Sequence, residues 1–280
     1  MPIYDQSYRP YRGTLSSHSM RWLTIARAGL QHYLSRRMFL IFLFTAFIPA
    51  IARGVIIWLS HQTNATRDLT SIDGAWFRNF LDWQGQFLLL VCIWPGAILI
   101  ARDLKTNAIQ LYLSKPLTRT DYVAGKFAIL AGIAFLLMPA PALLLFLMEV
   151  GLSTDTAFIS SYFWIPFAIL GYSLVVITGA GLLSLAASSF TRSGRYAGLL
   201  FFAIVFFSQV GGQLMRFITG DHGWIVLSLP ALMDQVGALF FGGPTEFGLH
   251  PLPSLLMYGL VVGLSLLVLR RRVRAVEIVT

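Results

Sequence analysis

ARDLKTNAIQLYLSKPLTRTDYVAGK, residues 101–126, is the one long polar interruption between apolar runs that also carries a dense set of positive charges. It holds Arg102, Lys105, Lys115, Arg119 and Lys126 against Asp103 and Asp121. Lys and Arg are enriched in the cytoplasmic loops of membrane proteins, which assigns this stretch to the cytoplasmic side. In its middle Ile109, Leu111, Tyr112 and Leu113 form a short amphipathic patch that stops at Pro116. The patch is far below the roughly 20 apolar residues that a helical span needs. It is also too apolar for a bare linker. A short helix lying at the membrane surface, ready to dock on a partner, fits both facts.

Working outward, the chain has 280 residues, of which 56% are hydrophobic and 12% charged. Its mean hydropathy is +0.71. Average soluble domains carry about 25% charged residues, so the composition is that of an all-α polytopic membrane protein. A net charge of +9 would suggest nucleic acid in a soluble protein. Here about 17 of the 21 Lys and Arg fall in the N-terminal segment, two alternate loops and the C-terminal tail, where they orient the chain in a bilayer. No nucleic-acid partner is expected. The single cysteine, Cys92, lies inside an apolar run and excludes an intramolecular disulfide or a Cys-based metal cluster.

Six apolar runs are predicted as transmembrane helices: 38–59, 83–101, 127–147, 165–190, 196–215 and 253–269. The loops between them alternate in charge. Those at 60–82, 148–164 and 216–252 are acidic or balanced and are read as external. The loops with Arg102 to Lys126 and with Arg192 and Arg195, and the tail with Arg270, Arg271, Arg272 and Arg274, are read as internal. Both termini are then cytoplasmic. The resulting division is a cytoplasmic N-terminal segment at 1–37, a six-helix membrane domain at 38–270 and a cytoplasmic tail at 271–280. Within the first segment, Trp22, Ile25, Ala26, Leu30, Tyr33 and Leu34 recur near the helical period, as in an interfacial helix. The apolar stretch 225–241, interrupted by Pro230 and Asp234, reads as one or two short helices that dip into the outer leaflet or cap the bundle.

Arg53 sits within the first run, roughly 22 Å along the helix from Met38. A charge at the centre of a span costs roughly 3 kcal/mol on insertion scales, so it needs a partner or a route to water. Snorkelling beside Trp58, pairing with Glu149 and a part in substrate binding are the three readings. Pro95 in the second run and Pro139 with Pro141 in the third remove backbone donors and permit bends. Gly171, Ser173, Gly179, Gly181, Ser184 and Ser188 in the fourth run allow close helix packing. There is no phosphate-binding loop, no HExxH and no GxSxG, and Gly125-Lys126 is followed by Phe127 rather than a hydroxyl. Catalytic residues and cofactors are expected to be absent from this chain.

The stretch 101–126 resembles the signature region of ABC-2 type permeases, the membrane subunits of one class of ATP-binding-cassette exporters. Asp103, Ile109, Leu111, Leu113, Pro116, Leu117, Thr118, Arg119, Tyr122, Gly125 and Lys126 fall at matching spacings. Asn107-Ala108 stands where the family usually has Gly-Thr, and Asp103 where it has Glu; Gly29, in the similar IARAGL segment, replaces a common acidic residue. The resemblance implies a separate soluble ABC ATPase that binds ATP and Mg, a second permease copy or a related permease, surrounding lipids and a place in the cell (inner) membrane. It implies that Asp103, Ile109, Leu111, Tyr112, Leu113, Pro116 and Arg119 couple to that ATPase, 109–113 forming the coupling helix between spans two and three. The alternatives are a permease-like mechanotransmission subunit that drives an extracytoplasmic partner, and an intramembrane enzyme acting on lipid.

Overall fold

The structure is a computed structural model describing residues 20–62, 72–113, 117–153, 157–243 and 251–273, and no strand occurs among them. Six helical stretches are long and apolar enough to cross a membrane: Arg37–Gln62, Gly74–Lys105, Arg119–Leu152, Phe158–Ser188, Gly194–Thr219 and Leu252–Arg272. The chain is a multi-pass membrane protein.

The first helix, α1, covers Arg21–Leu34 and is followed by the first span, α2, at Arg37–Gln62. The apolar stripe of α1 is laid against the start of span three rather than left to lipid alone: Ile25 and Ala26 are buried. Small residues permit the contact. A side chain at Gly29 would sit 2.1 Å from Ile129 Cδ1, and one at Gly125 would meet Ile25 and the Trp22 carbonyl.

Span two comprises α3 (Gly74–Val91), one π-helical turn (Cys92–Gly96) and α4 (Ala97–Lys105). It begins well before the expected residue 83. Asp73 caps its N-terminus by accepting from Trp76 N at 3.0 Å. Arg78 and Asp82, read from sequence as loop residues, lie on α3. Their charges lower the local hydropathy, but Arg78 pairs with Asp234 and Asp82 accepts from the Tyr172 hydroxyl at 2.8 Å. Distant partners thus make polar residues acceptable on the helix.

A six-residue helix, α5 (Ala108–Leu113), connects span two to span three, which is α6 (Arg119–Leu137) and α7 (Pro139–Leu152). Asn107 takes φ +53 between α4 and α5, so the turn that usually carries Gly is made by the residue type that best tolerates it. Span three breaks at Met138, before Pro139 and Pro141, as the proline pattern predicts. Next come α8 (Ala157–Tyr162) and α9 (Ile165–Ser188), the latter packed against α3, α4, α6 and α7. The fourth span is the most buried of the six, at 67%, against 17% for the first and the fifth. Spans two, three and four form the core, and spans one, five and six clad it.

Span five is α10 (Gly194–Thr219); a 3-10 turn (His222–Leu227) leads to α11 (Leu229–Phe241), and span six is α12 (Pro251–Arg272). The 13 residues of α11 extend about 20 Å, short of a roughly 30 Å hydrocarbon core. It packs on α3, α9, α10 and α12, in accord with the short helices expected at 225–241. Ser228 caps it, accepting from Ala231 N at 3.3 Å, and Pro230 occupies its first turn instead of breaking it.

The proposed Arg53–Glu149 pair is not formed. The Arg53 guanidinium donates to Trp76 O at 3.0 Å and Asn79 Oδ1 at 2.6 Å and stacks 4.5 Å from the Trp76 ring. Glu149 is buried with its Oε1 3.1 Å from His61 Nε2. Both residues sit near the end of the bundle remote from residues 101–126, but they turn towards different neighbours. Arg53 finds the start of α3, whereas His61, two turns further along α2, finds α7.

At the π-helical turn span five comes close to the backbone of span two. A side chain at Gly198 of α10 would lie 2.4 Å from Ile93 O, whereas one at Gly211 of the same helix would meet nothing within 4 Å. Gly198→Ala is expected to destabilise the purified chain by about 1–3 kcal/mol, the usual cost of overpacking. Gly211→Ala should leave stability unchanged or raise it by up to about 1 kcal/mol, the helix preference of Ala over Gly. Thermal unfolding of the two variants in the same detergent measures the contrast; equal behaviour would refute the close contact.

Candidate functional site: the junction of spans two and three

The site begins with the start of α6. Thr118 and Asp121 form a reciprocal capping box: Thr118 Oγ1 accepts from Asp121 N and Asp121 Oδ2 from Thr118 N, both at 3.1 Å. With the helix started there, Tyr122 and Lys126 stand four residues apart on one face. That face meets the end of α4. Lys126 Nζ lies 2.7 Å from Asp103 Oδ2, and the Tyr122 hydroxyl donates to the same oxygen at 2.7 Å.

Tyr112 of α5 closes the group. Its ring lies 5.4 Å from that of Tyr122, and Lys126 Nζ stands 5.6 Å from its centre. Burial, and then the charge of Asp103, push the Tyr112 phenol up, so it remains neutral. Ile109 is 6% exposed and belongs to the core. One face of α5 is therefore tied to the bundle, while Gln110 on it and Asn107 before it are exposed.

The residues implied as coupling contacts are thus arranged in two ways. Asp103 and Ile109 face into the chain and Tyr112 is half-buried, so these groups hold α5 in place. Arg119 is exposed. Pro116 and the side chains of Leu111 and Leu113 lie outside the described residues. Sequence reasoning placed Lys126 and Tyr122 in the motif but missed that they clamp Asp103. The available signal was one acid and one base flanking the same polar stretch.

Beside this clamp is a cavity of about 700 Å³ between α1, α4, α5 and α6. Arg21, His32, Arg102 and Lys126 line it together with Asp103, giving a mostly basic rim over an apolar floor that includes Ile98, Leu99 and Ile129. Tyr33, on the wall contributed by α1, is pushed up to about 12 by burial, although Arg102 and Arg36 pull in the other direction. Its hydroxyl donates to Pro95 O at 3.2 Å.

This contact joins the junction to the π-helical turn. A π turn in a span leaves backbone carbonyls misaligned, and each must find a donor within the protein. Ser184 donates to Cys92 O at 2.7 Å, and Ser188 donates to Ala97 O at 2.6 Å while accepting from Ile100 N and Ala101 N. The serines of span four, expected only to allow close packing, thus also satisfy the bend. The bent span, the clamp and α5 form one connected structure. Among the described residues, no group of three or more His, Cys, Asp or Glu could hold a metal.

Residues 39–222 match the family model described as ABC-2 family transporter protein. The search of curated proteins returned no match.

Proposed function

The chain belongs to the ABC-2 family of transporter proteins, and from that premise we propose that it is the membrane subunit of an ATP-driven exporter whose ATPase is a separate soluble chain. Its role as a permease follows from the family; the direction of transport and the mode of coupling are our reading. The observation that carries the reading is α5, tied on one face to both flanking spans through Asp103, Lys126, Tyr122 and Tyr112 and open on the other at Gln110.

In this reading the junction end, with α1 and the Arg270 to Arg272 end of α12, is cytoplasmic, as the distribution of Lys and Arg favours. The ATPase, carrying ATP and Mg, receives α5 in a surface groove. Closure of a pair of ATPases around ATP pushes α5. The Asp103–Lys126 pair passes the push to spans two and three together, and the π-helical turn and the break at Met138 are the points where those spans flex. Two permease chains, identical or related, complete the assembly in the inner membrane, with the substrate path between them.

The test is affinity purification of the tagged chain from its native membrane in mild detergent, with mass spectrometry of co-purifying proteins. Recovery of an ATPase bearing a phosphate-binding loop, together with ATP-dependent transport by the reconstituted pair, is the expected result. A folded chain that brings no ATPase overturns the reading. An ATPase whose activity depends on this chain, with no solute moved in reconstitution, would favour mechanotransmission instead.

A further inference from the structure

The ends of four spans meet span two at one level. The Phe42 ring of α2 lies 6.3 Å from that of Trp94, and the Tyr33 hydroxyl near the end of α1 reaches Pro95 O. Ser188, closing α9, bonds to Ala97 O and Ile100 N, and a side chain at Gly194, the start of α10, would lie 2.5 Å from Ile98 Cγ1. Arg272, at the end of α12, stacks 4.6 Å from the Phe190 ring just past α9. Exposed arginines gather at these ends: Arg36, Arg37, Arg195, Arg270, Arg271 and Arg272. Basic side chains of membrane helices collect among the headgroups, so residues 95–100 of span two mark a bilayer surface.

Spans two and three continue past that level, span two by about 8 Å from Ile100 to Lys105 and span three by about 15 Å from Ile129 back to Arg119. There α1 runs parallel to α6, with Ile25 beside Gly125 and Leu30 beside Gly132. The cavity of about 700 Å³ between α1, α4, α5 and α6 thus straddles the surface. Its floor of Ile98, Leu99 and Ile129 lies at the edge of the hydrocarbon, and Arg102 stands one helical turn further out than Ile98. Among the described residues Asp103 is the one acid on the wall, and its Oδ2 is held by Lys126 and Tyr122. Arg102 and Arg36 are exposed, and both guanidiniums lie within electrostatic reach of the Tyr33 phenol on the wall. Arg36 Nη2 donates to Nε2 of His32, another lining residue, at 3.2 Å, which holds Arg36 at the cavity's edge.

Two arginines over an apolar floor at a bilayer surface suit a ligand that is anionic at one end and apolar at the other. A guanidinium takes a phosphate through two parallel hydrogen bonds, and basic pockets between membrane helices receive lipid headgroups. A soluble phosphate ester would use the arginines and leave the floor bare. We propose that this cavity holds an anionic phospholipid, its phosphate between Arg102 and Arg36 and its chains passing over Ile98, Leu99 and Ile129 into the bilayer. The lipid braces α1 against spans two and three. Binding requires neither ATP nor a partner chain, so the proposal stands apart from the coupling reading.

The full chain in detergent, washed free of co-purified lipid, is titrated with phosphatidylglycerol or phosphatidylcholine of the same acyl chains, and bound lipid is read by native mass spectrometry. The wild-type chain should bind phosphatidylglycerol at least tenfold more tightly, and an excess of glycerophosphate should not displace it. Arg102→Ala should weaken phosphatidylglycerol binding about fivefold, the usual effect of one arginine beside an anionic lipid surface. Ala28→Trp fills the cavity without altering a charge, should weaken binding at least as much, and serves as the second variant if Arg102→Ala fails to fold. Arg271→Ala, a charge lost at the same level on span six, should leave binding unchanged. Equal binding of the two lipids, binding unaffected by the folded cavity variants, or a loss from Arg271→Ala equal to that from Arg102→Ala overturns the proposal. Displacement by glycerophosphate overturns it in favour of a soluble phosphate ester. Because ATPase recovery in pull-down is scored separately, failure here leaves the coupling reading intact, and failure there leaves this site standing.

Discussion

Lys126→Met is expected to destabilise the chain by about 3 kcal/mol and to abolish its stimulation of a partner ATPase. The Lys126 and Asp103 side chains are 8% and 13% exposed, and their charged atoms lie 2.7 Å apart. Removing one member of such a pair leaves the other desolvated and unbalanced, which typically costs 3–5 kcal/mol when burial is complete. The slight opening towards the adjacent basic cavity sets the lower end of that range here. Tyr122 would still donate to Asp103, but one neutral donor cannot offset a full charge. Adding Asp103→Asn to Lys126→Met removes the orphaned charge while keeping an acceptor for Tyr122. Most of the lost stability should return, and the coupling energy of a double-mutant cycle reports how much. Stimulation should remain low in the double variant, because the charged link between spans two and three is gone. A single variant with unchanged thermal unfolding and full stimulation would show that the pair neither stabilises the junction nor transmits movement.

Much of the fold was legible in the sequence because its signals are local. Six apolar runs gave six candidate spans, Asn107 supplied its turn, and Pro139 with Pro141 marked the break in span three. What escaped notice depends on partners far along the chain. Arg78 and Asp82 were read as loop because isolated charges end an apolar run, yet Asp234 lies 156 positions from the first and Tyr172 lies 90 from the second. Arg53 was offered Glu149 on charge alone, whereas the rotational phase of α2 against its neighbours gives Glu149 to His61. The same limit applies at the junction. The motif residues were visible, but not that Asp103 and Ile109 face inward. Pro95 announced a bend; that it is a π-helical turn held by Tyr33, Ser184 and Ser188 follows only from the packing of three separate helices.

That inward-facing set separates the anchoring of α5 from the coupling proposed for it. A six-residue helix is too short to persist alone in water, where isolated helices under about 12 residues are marginal. Its position is therefore borrowed from Ile109 and Tyr112 on the bundle. At about 100° per residue, position 110 is a quarter turn and position 111 roughly 200° around the axis from 109, so the helical period puts position 111 on the side of α5 opposite position 109. Ile109→Asp should consequently unfold the junction and lower thermal stability, as does any charge placed in a core. Leu111→Asp should leave thermal unfolding unchanged but cost about 2 kcal/mol at a partner groove, roughly 30-fold in affinity for the ATPase. Co-purification and permease-stimulated ATP hydrolysis measure that loss. Leu111→Asp with normal association and full stimulation would mean that α5 is a surface helix bound to lipid headgroups, and the ATPase, if one binds, must take hold elsewhere on the chain.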